Sequence, residues 1–134
     1  MRLGLAPALL LLVPVLAACG ADDGERKEAE TRVRQYVKAT NERDPKLCSE
    51  YLSTAFLRAS TGEKGEAAVK SCQQSLEQLG TPQQVKISLK KIEKVSLGGD
   101  PSVRVLLDVS GSEQRQTLLL TEEDGELKIA GTGK

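Results

Sequence analysis

The 134-residue sequence has no histidine and no tryptophan, and its aromatic residues are two tyrosines and one phenylalanine. Histidine is the commonest general base near neutral pH and a frequent zinc ligand, so its absence removes the simplest route to both kinds of chemistry. So few rings offer little for stacking on bases, and a formal net charge of +0 indicates no basic surface of the kind that nucleic-acid phosphates require. The composition therefore argues against nucleic acid as a partner.

Catalytic and metal-binding patterns are also missing. The sequence contains no C-x-x-C pair, no nucleophile motif and no glycine-rich phosphate loop. It accordingly predicts no catalytic residue, no metal site and no cofactor.

Long apolar runs are absent except near the N-terminus. There Arg2 precedes an apolar stretch over residues 3–16, which ends at the small residues Ala17 and Ala18. The stretch is shorter than the roughly 20 residues of a membrane-spanning helix, and it contains two prolines, which weaken such a helix. A basic start, an apolar centre and a small-residue end are the parts of a secretory signal peptide. Residues 1–18 are predicted to be that signal.

Cys19 follows the predicted signal directly. The sequence Leu16-Ala17-Ala18-Cys19 resembles the lipobox of bacterial lipoproteins, in which the cysteine thiol receives a diacylglyceryl group and becomes the amino terminus. The resemblance implies an extracytoplasmic protein anchored to the bacterial membrane through Cys19, since two or more acyl chains hold a protein stably to a bilayer. An ordinary cleavage site and an uncleaved anchor are the alternatives. The polar residues 19–27 are expected to form a lipidated tether.

The remaining cysteines, Cys48 and Cys72, form an even pair in a chain that the signal directs to an oxidising compartment. A disulfide between them is predicted. The alternative, a reactive thiol or a metal ligand, lacks supporting residues because there is no histidine or C-x-x-C pair.

Helical periodicity fills the first part of the exported chain. Apolar residues three and four positions apart predict a first helix over residues 28–41. A second helix is expected to begin at Asp44-Pro45, an N-cap followed by a first-turn proline, and to continue through Phe56. A third is expected over residues 66–79, which carry another apolar stripe.

From residue 84 onward the apolar period becomes two, which predicts strands. A change of phase at Lys90-Lys91 predicts a β-bulge, and turn-forming segments at 98–101, 110–112 and 122–125 separate the strands. The fold class is therefore α+β, with three N-terminal helices packed on a curved antiparallel meander of about four strands, in one domain over residues 28–134.

The segment over residues 33–52, VRQYVKATNERDPKLCSEYL, with a third helix and long bent strands after it, resembles the NTF2-like, or SnoaL-like, superfamily. It is similar in particular to the small secreted bacterial lipoproteins of that fold. In the superfamily the helices cover the concave side of a curved sheet and leave a cone-shaped pocket, used by ketosteroid isomerase and by many non-enzymatic members. The resemblance implies such a cone here, and the candidate pocket residues are Tyr36, Tyr51 and Phe56.

Chemistry of the ketosteroid isomerase type needs a carboxylate base beside a tyrosine donor in one apolar pocket. Tyr36 would be the donor, but Asp108 alternates with the aliphatic residues of its strand and is expected to point outward, and Glu93 lies in a charged stretch. A non-catalytic module that binds an apolar small molecule or a protein partner is therefore favoured. A small isomerase or dehydratase, and a homodimeric scaffold of the cell envelope, are the alternatives.

A run of lysines marks the first strand: Lys86, Lys90, Lys91 and Lys94. A solvated strand face, on which lysines discourage edge pairing, is the favoured interpretation. Contact with anionic lipid headgroups near the anchor is the alternative.

Overall fold

A computed structural model describes residues 23–82 and 84–133. The predicted signal peptide over residues 1–18, the predicted anchor Cys19 and residues 20–22 of the predicted tether lie outside the described residues. Within those residues, helices come first and an antiparallel sheet follows, which confirms the α+β class.

Helical segments form the first layer of the described chain. They are α1 (Asp23–Glu42), a π-helical turn (Leu47–Tyr51), α2 (Thr54–Thr61) and α3 (Gly65–Gln78).

Helix α1 begins at Asp23 rather than at Glu28, so residues 23–27 of the predicted tether are helical. Asp23 and Glu25 place negative charge in the first turn, where the helix dipole favours it. The Glu25 carboxylate also pairs with Lys94 of the sheet at 2.7 Å. The apolar stripe of the helix starts only at Ala29, so hydrophobic periodicity gives no sign of this charged first turn.

The predicted second helix is broken in two. After the π-helical turn, Leu52 is extended and forms a parallel bridge with Ile129, and the Ser53 amide donates to the Ile129 carbonyl at 2.8 Å. Ser53 then caps α2, because its hydroxyl accepts from the Phe56 amide at 3.1 Å. Apolar residues keep helical spacing through this region, so apolar periodicity does not predict the break, and Ser53 as an N-cap residue is its local signal.

The second layer is one open antiparallel sheet with the strand order β1-β2-β3-β4. Its strands are β1 (Ile87–Leu97), β2 (Asp100–Val109), β3 (Gln116–Glu123) and β4 (Glu126–Gly133). The register of β1 shifts between Leu89 and Lys91, where the change of phase predicts a bulge. A second shift, between Leu119 and Leu120 of β3, was not predicted.

One face of the sheet packs against the helices. Val105, Leu120 and Ile129 are fully buried at its centre, in one core cluster with Ala29 and Val33 of α1. The alternate residues of the strands lie on the opposite face. The helices therefore cover one side of the sheet.

Candidate functional site

A cleft of about 270 Å³ opens between the C-terminal half of α1 and one end of the sheet, and we call it the Tyr36 cleft. Its lining residues are Tyr36, Val37, Thr40, Asn41, Val85, Ile87, Leu107, Val109, Ser112, Gln116, Leu118 and Thr132. Six of these side chains are aliphatic and none is charged. The cleft thus offers apolar surface with hydroxyl and amide groups, and its own lining contributes no charge.

The periodicity of α1 turns Tyr36 toward the sheet. Val33, one turn earlier, is fully buried, and Ala39, nearly one turn later, is almost completely buried. Burial raises the pKa of the Tyr36 phenol, and a hydrogen bond with the Thr40 side chain opposes this effect less strongly. The phenol therefore stays protonated at neutral pH and can donate a hydrogen bond into the cleft.

Asn41 fixes the rim of the cleft. Its Nδ2 atom donates to the Val85 carbonyl at 2.8 Å, and its Oδ1 atom accepts from the Val85 amide at 3.2 Å. This pair of hydrogen bonds fastens the last turn of α1 to the segment that leads into β1. Sequence reasoning missed Asn41, and its one available signal was an amide side chain in the last turn of an amphipathic helix.

The structure does not bring Tyr51 and Phe56 into the Tyr36 cleft. The guanidinium of Arg32 lies 5.1 Å from the centre of the Tyr51 ring, a cation–π contact beside the π-helical turn. Phe56 lies in the first turn of α2 and packs against the core. Of the candidate pocket residues, Tyr36 alone lines this cleft.

The acids considered as bases, Asp108 and Glu93, lie on the outer face of the sheet. Asp108 pairs with Arg115 at 3.1 Å and with Lys90 at 3.7 Å. Glu93 accepts from the Nε atom of Arg104 at 2.8 Å, and this hydrogen bond is the main reason that the pKa of Glu93 lies below its ordinary value. Neither carboxylate lines the Tyr36 cleft.

Cys48 and Cys72 lie at disulfide distance. Their sulfur atoms are 2.03 Å apart and their Cα atoms 5.8 Å apart. The pair links the π-helical turn to α3, and Cys48 is fully buried in the core. The cysteines thus have a structural position, remote from the residues that line the cleft.

The lysine run is divided between two faces by the β1 bulge. Lys90 and Lys91 pair with Asp108 and Glu93 on the outer face. Lys94 stands opposite the buried Val103 and pairs with Glu25 of α1, so it lies on the helix side. A single solvated lysine face is therefore not what the structure has, because the extra residue at the bulge reverses the alternation.

A larger cleft of about 580 Å³ lies at the opposite end of α1 and contains Glu25, Glu28, Glu122 and Lys94. Nowhere in residues 23–82 and 84–133 do three or more acidic or cysteine side chains group closely enough to hold a metal ion. This acidic cleft therefore offers no metal centre.

No helix in the described part of the chain is both long enough and apolar enough to cross a membrane.

Comparison with known proteins gives no match from which a function could be inferred, so the proposal below rests on the sequence and on the geometry of the site. No protein-family model, no curated protein and no solved structure matches the sequence or the fold.

Proposed function

We propose that this chain is a lipid-anchored extracytoplasmic protein with an NTF2-like domain, and that the domain binds a small apolar group in the Tyr36 cleft without catalysing a reaction. The observation that carries the binding proposal is the lining of the cleft, which combines aliphatic side chains and one neutral phenol with no charged group. The anchoring part of the proposal rests on the LAAC sequence and the apolar run before it.

The size of the cleft limits the bound group. A volume of about 270 Å³ lies just below the range of about 300 to 1,000 Å³ typical of small-molecule pockets. It equals the volume that about nine molecules occupy in liquid water. A single ring or a short alkyl chain suits such a volume, and the Tyr36 hydroxyl and the Gln116 amide provide polar groups at its surface.

The isomerase alternative has one supporting feature, the protonated phenol of Tyr36 in a partly apolar site. A general base must lie within hydrogen-bond reach of the proton that it removes. Asp108 and Glu93 are engaged in ion pairs on the other face of the sheet, and no carboxylate lines the cleft. The arrangement of the described residues therefore favours binding over proton transfer.

Octanol is a suitable probe because it joins an alkyl chain to one hydroxyl group. The protein for the titration is residues 19–134 with Cys19→Ser, which carries no lipid and contains the whole described core. We expect saturable shifts of the amide NMR signals of cleft residues. Val109→Phe should fill the cleft and abolish these shifts, whereas Leu106→Phe, on the other face of β2, should leave them intact.

Substitutions of Tyr36 test the role of its ring. Tyr36→Phe keeps the ring and should leave octanol affinity nearly unchanged, whereas Tyr36→Ala should weaken both packing and binding. The proposal is wrong if octanol produces no saturable shifts in the unsubstituted protein. It is also wrong if the domain turns over a ketone substrate and Tyr36→Phe abolishes that turnover.

A further inference from the structure

A second depression adjoins the Tyr36 cleft on the flank of α1 that faces β1. It has a volume of about 490 Å³, and we call it the basic groove. Its lining residues are Arg34, Val37, Lys38, Asn41, Glu42, Pro82, Gln84, Val85, Lys86 and Ile87. Val37, Asn41, Val85 and Ile87 line both depressions. The cleft and the groove therefore meet along one shared edge, which the two Asn41–Val85 hydrogen bonds hold in place.

The charges of the groove are unbalanced. Arg34, Lys38 and Lys86 line it against a single acid, Glu42. Arg34 is engaged by Glu30 at 3.0 Å, whereas Lys38 and Lys86 are exposed and form no ion pair with any residue that the structure describes. Two ammonium groups beside an uncharged cleft make a site for an anion next to a site for an apolar chain.

The same imbalance continues along the seam between α1 and β1. The next depression shares Arg34 and Ile87 with the basic groove and adds Arg26, Lys90 and Lys91, with Glu30 as the only acid in its lining. Lys90 and Lys91 are paired with Asp108 and Glu93, so Arg26 is the cation that adds to the imbalance here. The whole chain has a formal net charge of +0, so this concentration of positive charge is a local feature. The cationic side chains line the basic groove, and none lines the Tyr36 cleft.

We infer that the ligand is a single-chain anionic amphiphile, whose alkyl chain occupies the Tyr36 cleft and whose phosphate or carboxylate head lies in the basic groove against Lys38 and Lys86. This inference rests on the proposed function and deepens it by naming the chemical class of the ligand. The helix sets the order of the two parts: Tyr36 and Thr40 face the cleft, Val37 and Asn41 form the shared edge, and Lys38 lies beyond them.

Three probes separate the contributions of chain and head. Octanol carries the chain alone, inorganic phosphate carries the head alone, and octyl phosphate carries both. Each is titrated into residues 19–134 with Cys19→Ser, at low and at high salt. We expect octyl phosphate to bind more tightly than octanol by about 1.4- to fivefold for each lysine engaged, the range of exposed ion pairs. High salt should reduce this advantage and leave octanol affinity unchanged.

Charge-neutral variants locate the head. Lys38→Gln with Lys86→Gln should bring the affinity for octyl phosphate down to that for octanol and leave octanol affinity unchanged. The matched control, Lys64→Gln with Lys70→Gln on and beside α3, removes the same charge from another surface and should preserve the advantage of octyl phosphate. Val109→Phe, which fills the cleft, should remove octyl phosphate binding.

The outcomes distinguish this inference from the proposed function. If octanol binds but octyl phosphate binds no better, or if both lysine pairs have equal effects, the anionic head is wrong and the apolar cleft stands. Octyl phosphate binding that survives Val109→Phe and equals that of inorganic phosphate would show a site for the head alone, which overturns the amphiphile. If neither octanol nor octyl phosphate binds, the inference and the proposed function fail together.

Discussion

Tyr36 is the residue on which the chemistry of the cleft depends. Its ring packs against core residues, and the desolvation of its phenol exceeds the opposing effect of Thr40, so its pKa is raised. A raised pKa disfavours the phenolate in the folded state. The resulting stability is fully present below the unfolded pKa of about 10 and is lost as pH rises from there through the folded pKa.

This direction can be tested by alkaline titration of the phenolate absorbance. The difference between the curves of the unsubstituted protein and Tyr36→Phe isolates Tyr36, since Tyr51 is common to both. We expect the difference curve to have a midpoint above the ordinary value for tyrosine, and the shift to disappear in denaturant. A midpoint at or below the ordinary value would contradict the burial of the phenol.

The outward acids show how far single residues can be placed from sequence. Strand alternation predicts that Asp108 points away from the face formed by Leu107 and Val109, and the structure has it there, paired with Arg115. The orientation of Glu93 depends on the position of the bulge as well as on the alternation. One extra residue in the strand reverses which face of the sheet each later side chain lies on. The same extra residue places Lys94 on the side of the sheet that faces α1. Simple alternation of residues along the strand does not predict this position.

At the scale of elements, the sequence predicts the helices and strands whose apolar residues repeat with a regular period. It does not predict features that depend on contacts between distant parts of the chain. The three helical regions and the β1 bulge follow from apolar spacing. The break at Leu52 and Ser53 does not, because the backbone is extended there by pairing with Ile129, a partner far away in the chain. Tyr36 belongs to the intact α1 and lines the cleft, whereas Tyr51 and Phe56 lie on either side of the break and do not line it.

The Tyr36 cleft itself was beyond sequence reasoning for a related reason. Its walls come from α1, from the segment before β1 and from all four strands. Its extent depends on where α1 separates from the sheet, and Asn41 fixes that point through Val85. A contact between two residues so far apart in the chain is not predicted by the spacing of apolar residues.

The link between the π-helical turn and α3 has a testable energetic consequence. Closing a loop with a sequence separation of 24 gives roughly 3 to 4 kcal/mol in the chain-entropy model. We expect Cys48→Ala with Cys72→Ala to lower the free energy of unfolding by no more than about that amount, measured by urea denaturation. The domain should still fold, since the other residues of the core cluster are unchanged.

Intact mass provides the control for the disulfide. The unsubstituted protein should be two hydrogens lighter before reduction than after it. Two free thiols titrating in the unfolded, unreduced protein would contradict the bond, and a double variant as stable as the parent would show that the bond contributes nothing to stability.

At the scale of the whole molecule, α1 sets the distance along the chain between Cys19, the predicted anchor, and the Tyr36 cleft. Asp23, the first residue of α1, follows Cys19 by four positions, so it lies within about 14 Å of that residue at full extension. Tyr36 is thirteen residues further along the helix, about 20 Å from its start. With Cys19 anchored, the acidic cleft with Glu25 and Glu28 belongs to the anchored end of the helix, and the Tyr36 cleft belongs to the other end. A ligand in the Tyr36 cleft would then lie about 20 Å along α1 from the end of the helix that follows the anchor.

Anchoring through Cys19 is the premise of this arrangement, and Cys19→Ser tests it in the full chain. Without the thiol there is no acceptor for the diacylglyceryl group, so we expect the variant to leave the membrane fraction or to accumulate as an uncleaved precursor. Cys48→Ala with Cys72→Ala is the matched control, because it removes the two other cysteines but keeps Cys19 and should remain in the membrane fraction. Two acyl chains bind a bilayer stably where one binds only marginally, so release of any processed form that lacks them should be nearly complete. A Cys19→Ser protein that is still processed, and still extracted only by detergent, would show that something other than this cysteine holds the domain to the membrane.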